Sequence, residues 1–310
     1  MQSSQSSDPA QLNRAGLVYG LCAYLLWGVL PLYFKVVAHV SPGEILAHRI
    51  VWSLLFLAGL ATFWRRWPAI REAVANRRVL LTLVATAVLI AVNWLVFIIA
   101  VVGGHMLEGS LGYYLTPLVN ILLGVALLGE KLSRPQVFAT FLAAAGVAVL
   151  AAGAGSGLWI SLTLATSFAT YGFLRKVAPV DSLEGLTIET MLLAPVALGW
   201  IVWLQASGGG GIGEWSYATD ILLVLGGAIT AIPLLLFTAA AKRLPYSTLG
   251  FLQYIAPSLQ FLSAVLLFAE PLTTAHIICF GAIWTALLIF SVDGWRRAVR
   301  ARRRPAQGLA

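Results

Sequence analysis

Tyr114-Leu-Thr-Pro117-Leu-Val-Asn120, with Glu130 ten residues on, is written again as Tyr254-Ile-Ala-Pro257-Ser-Leu-Gln260 with Glu270, 140 residues further along the chain. Apolar identities at a fixed offset arise by chance in a chain this hydrophobic. A matched run of tyrosine, proline, amide and carboxylate does not. The same offset pairs Lys35 with Arg175, Glu44 with Glu184, Phe97 with Phe237 and Ala100 with Ala240. The chain therefore reads as a duplication.

Its solvent is lipid. Of 310 residues, 60% are hydrophobic and 10% charged, whereas soluble domains carry about a quarter charged residues. Uncharged runs at 15–34, 79–104, 109–129, 190–213, 221–241, 244–269 and 271–292 each reach the roughly 20 residues that a spanning helix needs. Residues 45–64 add another span despite His48 and Arg49. The run 135–174 is too long for one crossing and is broken by the glycine-rich segment 153–157, with Pro135 placed to open its first helix. The expected fold is an all-α integral membrane protein with ten transmembrane helices. The Ser- and Gln-rich residues 1–14 form an N-terminal tail, and the first apolar run, longer than a signal-peptide core and without a small-residue cleavage site, stays as a span.

Of the 20 basic residues, all but Lys35 and Arg49 fall in the tails and even-numbered loops. The positive-inside rule then places both termini in the cytoplasm. With five spans per half, the halves 15–152 and 158–295 start on opposite sides of the membrane. They form two inverted five-helix repeats joined by the periplasmic linker 153–157 and followed by the basic cytoplasmic tail 296–310. Inverted repeats allow two conformations to exchange the roles of the halves, which is one route to alternating access.

Charged groups inside a bilayer are costly and turn toward a partner or a wet cavity. Arg49 lies one turn into span two beside His48, and its repeat counterpart is Glu189. Lys35, Glu108 and Glu270 map near Arg49, and Arg175 near Glu189, so the expectation is an outer gate of Arg49 with Glu108 or Glu270 and an inner gate of Glu189 with Arg175 or Lys176. His48 and Glu189 are the candidates for proton coupling. Between these layers Trp27, Asn93, Trp94, Tyr114, Asn120, Tyr254 and Gln260 are the candidate cavity lining. Pro117 and Pro257 are candidate kinks, since an interior proline frees a carbonyl. A lone Asn or Tyr in a span also serves as interhelical glue; the symmetry of the pairs is what favours a site.

Several classes are excluded on chemistry. The basic residues are dispersed over short loops without interleaved aromatics, which does not suit nucleic acid; anionic lipid suits the Arg-rich tail. Cys22 and Cys279 both fall in spans, which disfavours a disulfide framework or thiolate metal site. No cofactor, metal site or catalytic constellation is expected: no aspartate lies in a span, and Gly109-Ser-Leu-Gly112 lacks the spacing of a nucleophile elbow. The run Gly208 to Gly211 reads as a flexible outer loop, with no lysine at phosphate-cradle spacing. Gly16 and Gly20 read as a close helix contact.

Trp27-Gly28, Glu44-Ile-Leu-Ala-His-Arg49, Asn93-Trp94 and Leu107-Glu-Gly-Ser-Leu-Gly-Tyr113 resemble RarD-type permeases, in the EamA branch of the drug/metabolite transporter superfamily, and the likeness runs from Gly16 to Trp295. It implies a bacterial inner-membrane protein whose central cavity is formed by spans one to four and six to nine, with spans five and ten peripheral. It also implies a chloramphenicol-related substrate. The sequence as a whole reads as a secondary transporter for a small metabolite or drug-like amphipath. The alternative is a non-transporting scaffold, partner subunit or passive channel. Transport direction and oligomeric state, a homodimer included, stay open.

Overall fold

The computed structural model describes residues 9–128, 132–153, 157–241, 243–244 and 252–302, and among them there is no strand. The helices are α1 (Pro9–Val36), α2 (Pro42–Phe63), α3 (Trp67–Ala75), α4 (Arg77–Val102), α5 (Met106–Leu128), α6 (Arg134–Gly153), α7 (Leu158–Val177), α8 (Ser182–Ser207), α9 (Tyr217–Ala241), α10 (Ile255–Leu262, continued by a π-helical turn Ser263–Leu267) and α11 (Thr274–Arg302). Six stretches among the described residues are long and apolar enough to cross a membrane: Arg14–Val36, Pro42–Phe63, Arg77–Val102, Ser182–Ser207, Tyr217–Phe237 and Thr274–Asp293.

Polarity is distributed as lipid demands. Val18, Leu55, Phe141, Val196 and Leu288 stand exposed, while Glu44, His48, Arg49, Asn93, Glu189 and Gln260 are buried. A soluble protein of this size rarely leaves so much apolar surface in water.

Local chemistry sets the helix starts. Ser41 accepts the Glu44 N–H at 3.3 Å and Pro42 opens α2. Asn76 accepts from Arg78 N and Val79 N at the start of α4. The short α3, which falls in a segment read from the sequence as loop, buries Ile70 and Ala73, three residues apart on one face, against Val79, Leu83 and Ile188. Nine residues were too few for the sequence pattern to stand out.

Small residues set the close crossings. Along α1, a Cβ on Gly20 would lie 2.7 Å from Leu252 Cδ1 and one on Gly28 2.5 Å from Leu259 Cδ1, and Gly16 abuts Arg243 and Leu244. The expected close contact at Gly16 and Gly20 is thus present. Gly208 ends α8 in the left-handed region, at φ 67°. The run that follows makes specific contacts. Gly210 and Gly211 hold φ of 145° and 120°, and a side chain on Gly210 would strike the Glu44 carboxylate, which accepts the Gly211 N–H at 2.7 Å.

The core contacts are α6 with α11, α5 with α7, α2 with α8 and α9, α1 with α9 and α10, and α4 with α7 and α8. Among the described residues of the span 244–269, the helix is interrupted at Gln253 and Tyr254. α10 is short, and Pro257 sits in its first turn rather than its interior. It has no N–H for the carbonyl of Gln253, and so lies beside the break at Gln253 and Tyr254; residues 245–251 on the other side of that break lie outside the described residues. The Pro117 side chain lies outside the described residues.

Candidate functional site

Helices α1, α2, α4, α5, α7, α9 and α10 surround a cavity of about 130 Å³. Its wall is aromatic: Tyr24 and Trp27 from α1, Trp94 and Phe97 from α4, Tyr113 from α5, Phe168 from α7 and Phe237 from α9. The rings meet mostly edge to face. Trp27 lies 5.5 Å from Tyr24 and 5.7 Å from Phe237, and Tyr113 lies 5.4 Å from Phe97 and 5.7 Å from Phe168. Arg49, Asn93, Thr230, Gln253 and Gln260 supply the polar groups.

Four of the seven candidate lining residues, Trp27, Asn93, Trp94 and Gln260, are on this wall. Tyr114 and Tyr254 are not. They stack on each other at 6.3 Å behind it, with the Tyr114 hydroxyl against Ser258 Oγ and its ring edge-on to Phe280 and Trp284 of α11. Neighbouring helix positions point about 100° apart, and it is Tyr113 that faces inward. The Asn120 side chain lies outside the described residues. Asn93 is spent on the wall itself: its Nδ2 donates to Leu164 O and Ser167 Oγ at 3.1 and 3.0 Å, and its Oδ1 accepts from the Tyr113 hydroxyl at 3.0 Å. Both of its polar atoms are thus engaged in building the cavity wall.

The expected pairing of Arg49 with Glu108 or Glu270 does not occur. Arg49 faces the cavity, its Nε donating to Thr230 Oγ1 at 2.9 Å, with the Phe34 and Trp94 rings 5.0 and 5.2 Å from its Cζ. Glu270 instead accepts the Met106 and Leu107 N–H groups, both at 2.8 Å, and caps α5. Burial raises its carboxyl above the usual carboxylate range, with those two donors pulling the other way. Glu108 lies 3.7 Å from His105 and 4.0 Å from His276, and Lys35 sits over the Phe268 ring. Glu270→Ala is expected to leave two buried N–H groups unpaired and cost about 2–4 kcal/mol, read as a lower melting temperature of the purified protein. An unchanged melting point would show that the cap contributes nothing.

The other expected pair is present. Arg175 Nε lies 3.6 Å from Glu189 Oε1, and Glu189 also accepts from Thr86 Oγ1 at 2.7 Å and the Tyr171 hydroxyl at 3.3 Å. Gly185 makes this possible, since a Cβ there would lie 1.8 Å from Arg175 Nη1. Tyr171 stacks on Phe168 of the cavity wall at 6.2 Å, so the ion pair and the cavity are linked through two rings. Beyond it Arg66 bridges Asp181 and Glu184 at 3.0 and 2.8 Å. At the opposite end of α2, Glu44 accepts from Gly211 N and Trp215 Nε1. His48 lies 4.0 Å from Glu44 and accepts from Trp52 Nε1. Lys176 has no described side chain.

The sequence reading missed Tyr24, Phe97, Tyr113, Phe168, Thr230, Phe237 and Gln253. Phe97 and Phe237 were signalled by their shared offset, and both reach the cavity from equivalent helices. The others carry no signal apart from their neighbours in space.

The profile of the EamA-like transporter family matches residues 14–152. An uncharacterized transporter of Pseudomonas aeruginosa is 45% identical over 95% of this chain and 98% of its own length. Protein RarD of Escherichia coli is 43% identical over 96% of this chain and 99% of its own. A further relative from Pseudomonas aeruginosa, named as a chloramphenicol-sensitive protein RarD, is 31% identical over 96% of this chain and its own full length. A crystal structure 21% identical superposes with a TM-score of 0.59 over 96% of this chain and 99% of that one, and so shares the fold. Together with the helical bundle and its exposed apolar residues, these likenesses decide the classification: the chain belongs to the EamA-like transporter family, in its RarD-type branch.

Proposed function

We propose that this protein is a secondary transporter carrying a small amphipathic compound across a bacterial cytoplasmic membrane by alternating access. The observation that carries this reading is the aromatic-walled cavity in the middle of the bundle, lined from both halves of the chain. Ten crossings, as two inverted five-helix repeats at 15–152 and 158–295, fit the helix contacts. Exchanging each helix of one half for its counterpart turns the α5–α7 contact into α10–α1, α1–α9 into α7–α4 and α2–α9 into α8–α4, and all of these contacts occur. The charge distribution favours both termini inside, which makes the Glu189–Arg175 end cytoplasmic and the Glu44–His48 end periplasmic. In this reading Glu189–Arg175 and the Arg66 bridges close the inner side, while Glu44, His48 and the fitted 208–216 loop close the outer side. Energy would come from an ion or substrate gradient, since no ATP-binding motif is present in the sequence.

Counterflow in proteoliposomes tests this, with a panel of amino acids, aromatic acids, nucleosides and phenicols. At least one compound should exchange, and Trp94→Ala should slow that exchange at least about tenfold, the scale of deleting a buried aromatic anchor. Flux without saturation or counterflow would make the protein a passive channel. An absence of flux for the whole panel would favour a scaffold or partner subunit.

A further inference from the structure

Among the described residues the cavity holds one buried cation, Arg49, and it has no counter-charge beside it. Arg49 is 3% exposed, and among the described residues no carboxylate lies within salt-bridge distance of it. Its Nε is taken by Thr230 and its guanidinium stands by two rings, but Nη1 is buried with no hydrogen-bond partner. The neighbouring carboxylates are committed elsewhere: Glu44 to Gly211 and Trp215, Glu189 to Arg175, and Glu270 to the start of α5. A desolvated charge without a partner is strongly unfavourable, and a planar guanidinium edge matches a carboxylate. On the same wall Gln260 donates its Nε2 to Trp27 O, while its Oε1 is buried and unpartnered.

We infer that the transported compounds are aromatic monocarboxylates, their carboxylate held by the free edge of Arg49, their ring against Trp27, Trp94 and Phe168, and a hydrogen-bond donor, where present, reaching Gln260 Oε1. The inference rests on reading this cavity as the transport site. The charge count narrows the class in two ways. One cation neutralises one negative charge, so a phosphate dianion would bring an uncompensated charge into an aromatic pocket. Among the described residues no Asp or Glu lines the cavity, so the ammonium of a zwitterionic amino acid finds a neutral amide oxygen and no carboxylate. The site therefore favours the aryl acid over its amino-acid analogue.

The test is the thermal shift of the purified full-length protein with benzoate, 3-phenylpropionate and indole-3-acetate, each against its primary amide, with phenylalanine as the zwitterion. Ligands of the native state raise its melting temperature with the logarithm of their concentration over Kd. At least one acid should bind about tenfold or more tightly than its amide, and 3-phenylpropionate more tightly than phenylalanine. Arg49→Gln should remove the preference of acid over amide, and Arg49→Lys should keep part of it. If Arg49 only fastened α2 to α9, its loss would lower the ligand-free melting point and leave that preference intact. Because the acid-to-amide comparison is made on the unaltered protein, it does not depend on the variants folding. Equal binding of acids and amides, tighter binding of phenylalanine, or no binding by any acid overturns the inference. If the amides bind as well as the acids and Trp94→Ala weakens them, the transport-site reading stands and the monocarboxylate inference alone falls. No binding by any compound counts against both.

Discussion

Glu189→Ala is expected to destabilise the protein by about 3–5 kcal/mol, the scale of breaking a buried ion pair by removing one partner, and to abolish substrate exchange. Glu189 is fully buried and takes hydroxyl donors from Thr86 and Tyr171 as well as the charge of Arg175. Without it, Arg175 keeps its charge in a slot that Gly185 leaves just wide enough, with Nη1 already lacking a partner. Replacing both residues by methionine removes both charges together and should recover most of the stability. Exchange should remain lost, because the connection from the cavity wall through Phe168 and Tyr171 ends on an element that can no longer open and close by pairing. Melting temperatures of the three variants, with counterflow on the same preparations, decide the matter. A Glu189→Ala protein with normal melting and normal exchange would remove the inner-gate role.

Gly227→Leu should leave little monodisperse protein on size-exclusion chromatography. A Cβ at this position would lie 2.3 Å from the backbone carbon of Trp52 and 2.6 Å from Ser53 N. No side-chain rotation relieves a clash with backbone, so α2 and α9 would have to separate. That separation would break the Ser53 Oγ bond to Gly227 O at 3.1 Å and shift Arg49 relative to Thr230. Gly227→Ala meets the same Cβ clash and should cost at least about 3 kcal/mol, the upper end of overpacking, with Leu worse still. Gly59→Ala on α2 is the control, since a Cβ there has nothing within 4 Å, and it should melt with the parent protein. If Gly227→Leu behaves as that control does, the close crossing is not what holds these helices together.

Much of this fold was legible because partition between water and lipid adds up residue by residue. Each of the ten apolar runs overlaps a helix, and the pairing of Glu189 with Arg175 followed from the charges' depth along their helices. Depth is a one-dimensional quantity, read at 1.5 Å per residue. Rotation about a helix axis is not, and there the expectations failed. Tyr113 and Tyr114 are indistinguishable in composition, yet one lines the cavity and the other stacks behind it on Tyr254. Glu270 shares the depth of Arg49, but it found two backbone N–H groups at the start of α5 instead.

From the sequence alone follow an all-helical membrane chain, the family, and four residues of the cavity wall, Trp27, Asn93, Trp94 and Gln260. Tertiary structure alone decided which buried polar groups are spent on the protein and which are left over. Asn93 is consumed by Leu164, Ser167 and Tyr113, whereas Arg49 keeps an unpaired edge beside the cavity. The physical reason is that hydropathy is a sum over residues, while the satisfaction of a hydrogen bond or a charge depends on one partner, brought from a distant part of the chain to within about 3 Å.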